Sequence, residues 1–402
     1  MKTKVLNHEL QTAADILRQG GHVAVPTETV YGLAANAMNA QAVELLYERK
    51  GRPSVKPISL MVSGPEAIDC YCLGAPEQAK ALARRFWPGP LTIVLKSKAE
   101  IPAIVRAGGD TIGLRCPDHP LTLALLKETG FPLAVPSANL SGGPSPKSTR
   151  EVLRDFDGKI EAVIDGGICS IGTESTLLSL AETPYRVLRA GALSEDTIAD
   201  ALIDEMRIIG ITGGSGSGKT TALRLLEEMG ALIIDADAVY ADMTRSCQAM
   251  REEIEAQFPG TVCEPGLNRE KLAAAVFSDP DALETLSAIT HPYVIAEIQK
   301  RLRAHAMNGG SIAAIDAIGL IGSPLMALCD HSFAVLADRE ARIARIMRRD
   351  GLTRERAVQR VNAQPPDEYY IMNCGDTLVN KADEAAFAAL CRQKFMGVLQ
   401  HG

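Results

Sequence analysis

The sequence predicts two consecutive α/β units, a mixed one over residues 1–205 and one built on a parallel sheet flanked by helices over residues 206–402. Three observations predict this. In the first half, short apolar runs alternate with stretches of helical period. In the second half strand and helix alternate more regularly, which favours parallel strands covered by helices. At Met206 an acidic amphipathic stretch gives way to an apolar run that ends in glycines, MRIIGITGG.

The elements follow in chain order. The start, MKTKVLNHELQTAADILRQGG, has helical period. HVAVPT, ISLMV, LTIVL, TIGLR, PLAVP and EAVID are strand candidates, and helices are expected at 40–50, 76–86 and 119–129. Proline and glycine mark the turns WPGP (87–90), AGGD (107–110) and SGGPSP (141–146). SEDTIADALIDE (194–205) reads as a helix with Ser194 as its N-cap. Beyond it, strands are expected near 207–212, 231–235, 311–316 and 331–336.

Composition narrows the class. With 46% hydrophobic and 23% charged residues, the 402-residue chain is neither disordered, collagen-like nor coiled-coil. The net charge of −7 divides into −3 before Met206 and −4 from it onward, which argues against a dedicated nucleic-acid coat. Aromatics are only 4%, too few for stacking platforms along a single strand. The nine cysteines form no CxxC pair, so reduced thiols in a cytoplasmic protein are expected. No signal-peptide core and no apolar run of membrane-spanning length, about 20 residues, is seen.

GGSGSGKT (213–220) fits GxxxxGK[ST] between the strand RIIGIT and the helix TALRLLEEMG. Gly214, Gly216, Ser217 and Gly218 would turn backbone N–H groups toward phosphate, with Thr221 following in the first helical turn. Lys219 supplies a cation for the β and γ phosphates, and Thr220 a hydroxyl for Mg²⁺. One strand later, Asp235 and Asp237 end an apolar run, where a carboxylate can hold Mg²⁺ or take a proton from an acceptor hydroxyl. An Asp at that place can also simply cap a helix. REARIARIMRRD (339–350) sets Arg342, Arg345, Arg348 and Arg349 on a helix, with Arg345 and Arg348 as candidates to close over the phosphates and a solvated basic face as the alternative.

These residues resemble the dephospho-CoA kinases over about 206–399, through GITGGSGSGKT, IIDAD, Thr290–Pro292, RIMRRDGLT and RVNAQ…NCGDTLVN. The resemblance implies that Asp237 is the general base for the ribose 3′-hydroxyl of dephospho-CoA, which attacks the γ-phosphate of ATP. Two positions depart from the family. Ala241 stands where an Arg is common, with Arg245 nearest, and Gly322 stands where an acid is expected. Both departures fall on the acceptor side.

In the first half, PTETVYGLAANA (26–37) sets polar and small residues between a strand and a helix, and Arg49, Lys50, Arg52 and Lys56 put four cations into eight residues. Such density beside Gly and Pro suits polyphosphate, with a solvated basic face as the alternative. DTIGLRCP, PSANLSGGPSP, GTEST and YRVLRAG are polar signatures that end apolar strands. Together these stretches resemble the YrdC-like threonylcarbamoyl-AMP synthases over 10–195, a family with a twisted mixed α/β fold. Its KxR…SxN signature stands here as Lys50, Arg52, Ser137 and Asn139.

The resemblance implies that L-threonine, bicarbonate and ATP give threonylcarbamoyl-AMP and pyrophosphate, for a tRNA threonylcarbamoyl transferase machinery. It places Lys50, Arg52, Lys56, Thr111, Ser137, Asn139, Ser145 and Arg189 around ATP. Thr29, Met61, Arg115, Val135 and Ser175 would line the threonine site, with Arg115 on the carboxylate. Direct nucleic-acid binding is not expected. The competing readings are a non-catalytic RNA-binding module for the first half, and another P-loop metabolite kinase or a degenerate kinase for the second.

Overall fold

The computed structural model describes residues 2–263, 266–276, 279–381 and 383–400. The chain divides into two compact units, Met1–Glu205 with Met307–Gly309, and Met206–Ala306 with Gly310–Gly402.

The first unit runs β1 (Lys4–Leu6), α1 (Leu10–Arg18), β2 (Val23–Val25), β3 (Gly32–Asn36), α2 (Ala40–Lys50), β4 (Leu60–Met61), α3 (Ala67–Tyr71), α4 (Glu77–Phe86) and β5 (Leu91–Lys96). It continues with β6 (Thr111–Arg115), α5 (Pro120–Thr129), β7 (Leu133–Ala134), α6 (Thr149–Phe156), β8 (Ala162–Ile164), β9 (Thr176–Ser179), β10 (Arg186–Arg189) and α7 (Glu195–Ile203). The ten strands form one mixed sheet in the order β1-β8-β2-β3-β7-β4-β6-β5-β9-β10. The β2 residues Val23, Ala24 and Val25 are all fully buried, and Leu17, Leu125 and Leu133 pack in the same core as Val23 and Val25.

Local chemistry sets the ends that matter. The Asn39 side chain accepts from the Ala42 N–H to start α2. Gly51, at φ 58°, stops it in the left-handed conformation, so Arg52 leaves on a turn rather than continuing the helix. Ser194 caps α7 through the Thr197 N–H.

Three segments differ from the sequence reading. Residues 4–6 do not join the first helix; they pair with β8, and helical period sets in only at Leu10. The stretch 26–37 is not all loop, because Gly32–Asn36 folds back as β3 against β2. Thr27 makes that reversal: its Oγ1 donates to Val30 O at 2.6 Å and accepts the N–H groups of Thr29 and Val30. GTEST does not close a strand but opens β9 at Thr176.

The second unit begins with β11 (Arg207–Thr212), α8 (Lys219–Glu228), β12 (Leu232–Asp235), α9 (Ala236–Ser246), α10 (Gln248–Gln257) and the hairpin of β13 (Val262–Cys263) and β14 (Gly266–Leu267). It continues with α11 (Arg269–Val276), α12 (Pro280–Met307), β15 (Ile312–Asp316), β16 (His331–Ala337), α13 (Arg339–Asp350), α14 (Arg354–Asn362), α15 (Asp367–Asn373), β17 (Asp376–Asn380) and α16 (Glu384–Gln400). Five strands form a wholly parallel sheet, β12-β15-β11-β16-β17, as the regular alternation predicts. Its core sets Ile209 and Ile211 of β11 with Phe333 and Val335 of β16, and Phe333 meets Phe395 edge-on at 5.2 Å. Central strand β11 therefore delivers the glycine-rich turn at the carboxyl end of the sheet, where open parallel sheets gather ligands. Among the described residues, no helix is long and apolar enough to cross a membrane.

Candidate active sites

In the first unit a cleft opens where β4, β6 and β9 meet the turns after α2 and β7. Met61, Arg115, Val135 and Ser175, four of the five residues expected around threonine, line it. Thr29, the fifth, is fully buried and accepts from Arg115 Nη2 at 2.8 Å.

Arg115 is the most constrained cation of this cleft. It ends β6 and is 7% exposed. Its Nη2 donates to Glu28 Oε1 at 2.7 Å and its Nε to Gly89 O at 3.2 Å. Glu28, 6% exposed, takes the Asp118 N–H on its other oxygen at 3.0 Å. Burial pulls the guanidinium pKa down and Glu28 opposes it. A buried pair saturated in this way holds the side chain in one rotamer against the cleft.

The residues expected around ATP fall into three groups. Arg52, Ser137 and Arg189 line the cleft. Lys50, Asn139 and Ser145 are bonded to lining residues: Lys50 Nζ donates to Ser137 O and Asn139 O, Ser137 Oγ donates to Asn139 Oδ1, and Ser145 Oγ donates to Glu174. Asn139 also donates to Gly143 O at 2.7 Å, which shapes the turn after β7. Lys56 lies on the exposed turn after α2. Thr111 is not brought to the cleft, because it starts β6 opposite Lys96, at the far end of that strand from Arg115.

Lys50 is 2% exposed, and burial, with Arg52 adding to it, pulls its ammonium down to about 7 while Asp155 and Glu174 oppose. Its bonds stitch the end of α2 to the turn after β7. Arg52, two residues on, is the cation that faces the cleft.

In the second unit the glycine-rich turn lines a cleft together with Asp235, Asp237, Asp316, Arg345, Arg348, Arg349 and Arg360. Gly218 caps α8 at φ 117°, and Lys219 Nζ donates to Gly213 O at 3.1 Å. Thr220 lines the cleft, whereas Thr221 turns into α8 with its N–H on Gly218 O. The glycines admit protein groups as well as ligand: a Cβ at Gly213 would stand 2.3 Å from Val335 O. The same pressure comes from α13, where Arg345 Nη1 donates to Gly216 O and Ser217 O at 3.0 and 3.2 Å. Arg345 thus spends donors on the turn itself, while exposed Arg348 lines the cleft.

Gln364 and Asn380 complete this brace. Gln364 exchanges bonds with Ser215, taking its N–H at 2.9 Å and donating to its Oγ at 2.9 Å. Arg342, 6% exposed, donates to both Ser215 O and Gln364 Oε1. Asn380 Nδ2 donates to Ser217 O at 3.0 Å.

Three carboxylates face the turn. Asp235 caps α9, accepting from the Ala238 N–H at 2.9 Å, so the capping role holds for it. Asp237 sits in the first turn of α9, and burial raises its pKa, with Asp235 adding and Lys219 opposing. Asp316 ends β15 in register with Asp235. Its Oδ1 is buried without a partner, and burial lifts the carboxyl to about 6. An orphaned carboxylate oxygen in a cleft that Thr220 also lines fits a hydrated divalent cation. Among the described residues, no three His, Cys, Asp or Glu side chains cluster into a metal site of their own, so phosphate oxygens and water would fill most of that cation's shell.

Neither departure from the family lines this cleft. Ala241 lies on α9. Gly322 is at φ 77°, a conformation strained for any residue with a Cβ, although space is open around it.

The sequence reading missed Glu28, Glu174, Asp316, Gln364 and Asn380. Glu28 and Asp316 did carry a signal, each an acid within an apolar stretch. Gln364 and Asn380 end the RVNAQ and NCGDTLVN stretches, but nothing in those stretches marked either as a support for the glycine-rich turn.

These features define a chain with two nucleotide-handling α/β units, the second on a P-loop sheet. The Sua5/YciO/YrdC family model, described as telomere recombination, matches residues 15–191, and the dephospho-CoA kinase model matches residues 207–385. The chain belongs to the Sua5/YciO/YrdC family through its first unit, and its second unit is similar to the dephospho-CoA kinases. Threonylcarbamoyl-AMP synthase of Pyrococcus abyssi is 43% identical over 52% of this chain and 61% of its own length, and that of Bacillus subtilis 46% identical over 50% and 58%. The Halorhodospira halophila protein of the same name is 36% identical over 45% of this chain and 90% of its own. The chain thus spans about three-fifths of the first two relatives.

Proposed function

We propose that the first unit makes threonylcarbamoyl-AMP from L-threonine, bicarbonate and ATP, releasing pyrophosphate, and that the second phosphorylates the 3′-hydroxyl of dephospho-CoA. The observation that carries the first assignment is the placement of Arg115. It stands fixed by Glu28, Thr29 and Gly89 at one wall of a cleft whose other cations are Arg52 and Arg189. A fixed guanidinium suits one amino-acid carboxylate, and the other two suit a polyphosphate. The amine of threonine takes up CO₂ from bicarbonate, and an oxygen of the new carbamate attacks the α-phosphate as pyrophosphate leaves. No side chain here need carry a proton through that step, so catalysis rests on positioning and on charge stabilisation. The product would pass to the enzymes that threonylcarbamoylate tRNA, in the cytoplasm.

In the second unit, Lys219 and the turn 214–218 would hold the β and γ phosphates and Asp237 would take the proton of the acceptor hydroxyl. Arg348 is the candidate to close over the phosphates. Mg²⁺, held by Thr220 and through water by Asp316, would neutralise charge on the transferring phosphoryl group.

Mass spectrometry of products from ATP, threonine, bicarbonate and dephospho-CoA supplied together tests both halves. Threonylcarbamoyl-AMP and CoA are expected, and Arg52→Ala should remove the first while leaving the second. Salt-sensitive tRNA binding without pyrophosphate release would refute the synthase assignment. Phosphorylation of another metabolite but not dephospho-CoA would refute the kinase acceptor.

A further inference from the structure

Among the described residues lining the first-unit cleft, Glu174 is the only carboxylate. Its Oε2 pairs with Arg189 Nη1 at 2.5 Å, and its Oε1 accepts from Ser145 Oγ at 2.7 Å. One anion therefore occupies two groups that a polyphosphate in this cleft would use. The rest of Arg189 is tied to Ser175, with Nη2 donating to the main-chain oxygen at 2.9 Å and to Oγ at 3.1 Å. Glu174 thus holds one end of a guanidinium whose other end is anchored beside the threonine subsite.

The main chain at Glu174 cannot yield. Its carbonyl accepts the Ala192 N–H at 3.0 Å, and the Thr176 N–H donates to Pro90 O at 3.0 Å. Gly191 packs so closely that a Cβ there would stand 2.4 Å from Glu174 O. The side chain is different, being 34% exposed and paired with an Arg189 side chain that is 44% exposed. A rotamer change frees the carboxylate without moving the loop.

We infer that Glu174 is a resident counter-ion, displaced from Arg189 and Ser145 by the polyphosphate of the incoming nucleotide and returning as that charge departs. Before ligand arrives it keeps Arg189 and Ser145 in place. When several linked phosphate charges enter, they outcompete a single carboxylate for the same donors. Glu174 then opposes nucleotide binding, and its return favours departure of pyrophosphate. The inference rests on reading this cleft as the nucleotide site of a pyrophosphate-releasing reaction.

Glu174→Gln keeps the shape and removes the charge; its amide oxygen can accept from Arg189 while its NH₂ donates to the Ser145 hydroxyl, which unlike a main-chain N–H can also accept. Two measurements on the full chain test it. The first is KM for ATP in threonine- and bicarbonate-dependent pyrophosphate release, which reads the first unit alone. The second is calorimetric binding of inorganic tripolyphosphate with Lys219→Ala present in both proteins, so that residual second-unit binding is common to the pair. The variant should show KM and Kd lowered by about two- to fivefold, the scale of a partly exposed ion pair. The gap should shrink at high salt. Unchanged or weaker binding in the variant overturns the inference, because Glu174 would then be a support for Arg189. Tighter tripolyphosphate binding with no pyrophosphate release in either protein refutes the assigned reaction but upholds the counter-ion.

Discussion

Glu28→Gln probes the first-unit cleft through a buried ion pair. Both partners are more than nine-tenths buried, so removing one charge leaves the other without compensation in a poor solvent. Gln is isosteric, yet it cannot satisfy both neighbours. If its oxygen faces Arg115, its NH₂ faces the Asp118 N–H; if it flips, the NH₂ faces Arg115. Either way two donors meet. Breaking such a pair costs about 3 kcal/mol. For a unit of this size that is a fall in Tm of about 6–12 °C, read by calorimetry as the transition of the first unit.

Glu28→Gln should also raise KM for threonine, since Arg115 loses a tether. The cycle with Arg115→Met isolates the pair: the double variant should be less destabilised than the sum of the singles by more than about 1 kcal/mol. Additivity within about 0.5 kcal/mol would refute the claim that Glu28 acts through Arg115.

Two further outcomes concern the second unit. The Asp316 carboxyl, at about 6 against its usual 3.8, binds its proton more tightly folded than unfolded, so its contribution to stability is lost as pH rises from about 4 to 6. Asp316→Asn should therefore be about 1–3 kcal/mol more stable than the parent at pH 7.5 without Mg²⁺, converge with it near pH 4, and lose kinase turnover; a less stable variant in thermal melts at pH 7.5 refutes the burial argument. Gly213→Ala, at φ 133° with Val335 O in the way, should lower stability by several kcal/mol, and a denaturation midpoint matching the parent would show that the turn has room.

Much of this architecture was legible because its signals are local. The strand-turn-helix around Lys219 is written in consecutive residues, and the parallel sheet in the alternation that follows. The cap at Ser194 and the helix 339–350 were read from spacing alone. What stayed hidden depends on distant pairing. Residues 4–6 become a strand only because β8, more than 150 residues on, offers an edge. Thr111 and Arg115 share one short strand, yet its pairing with β5 carries them to opposite ends and only Arg115 reaches the cleft. The Arg342–Gln364–Ser215 cluster joins three segments that no single-segment pattern connects.

Among the described residues, strand β10 ends the ten-stranded sheet with no strand on its other side, and Arg186, Leu188 and Arg189 on it are exposed. Its pairing with β9 slips between Val187 and Arg189. A long, flat apolar edge would invite strands from other chains, and two arginines with a bulge are what discourages that. Arg189 therefore answers to two pressures at once, the ligand charge proposed for its cleft on one side and self-association on the other. Replacing it with an apolar residue would expose a sticky border as well as strip a cation from the proposed nucleotide cleft, so lost activity in such a variant has to be separated from lost solubility.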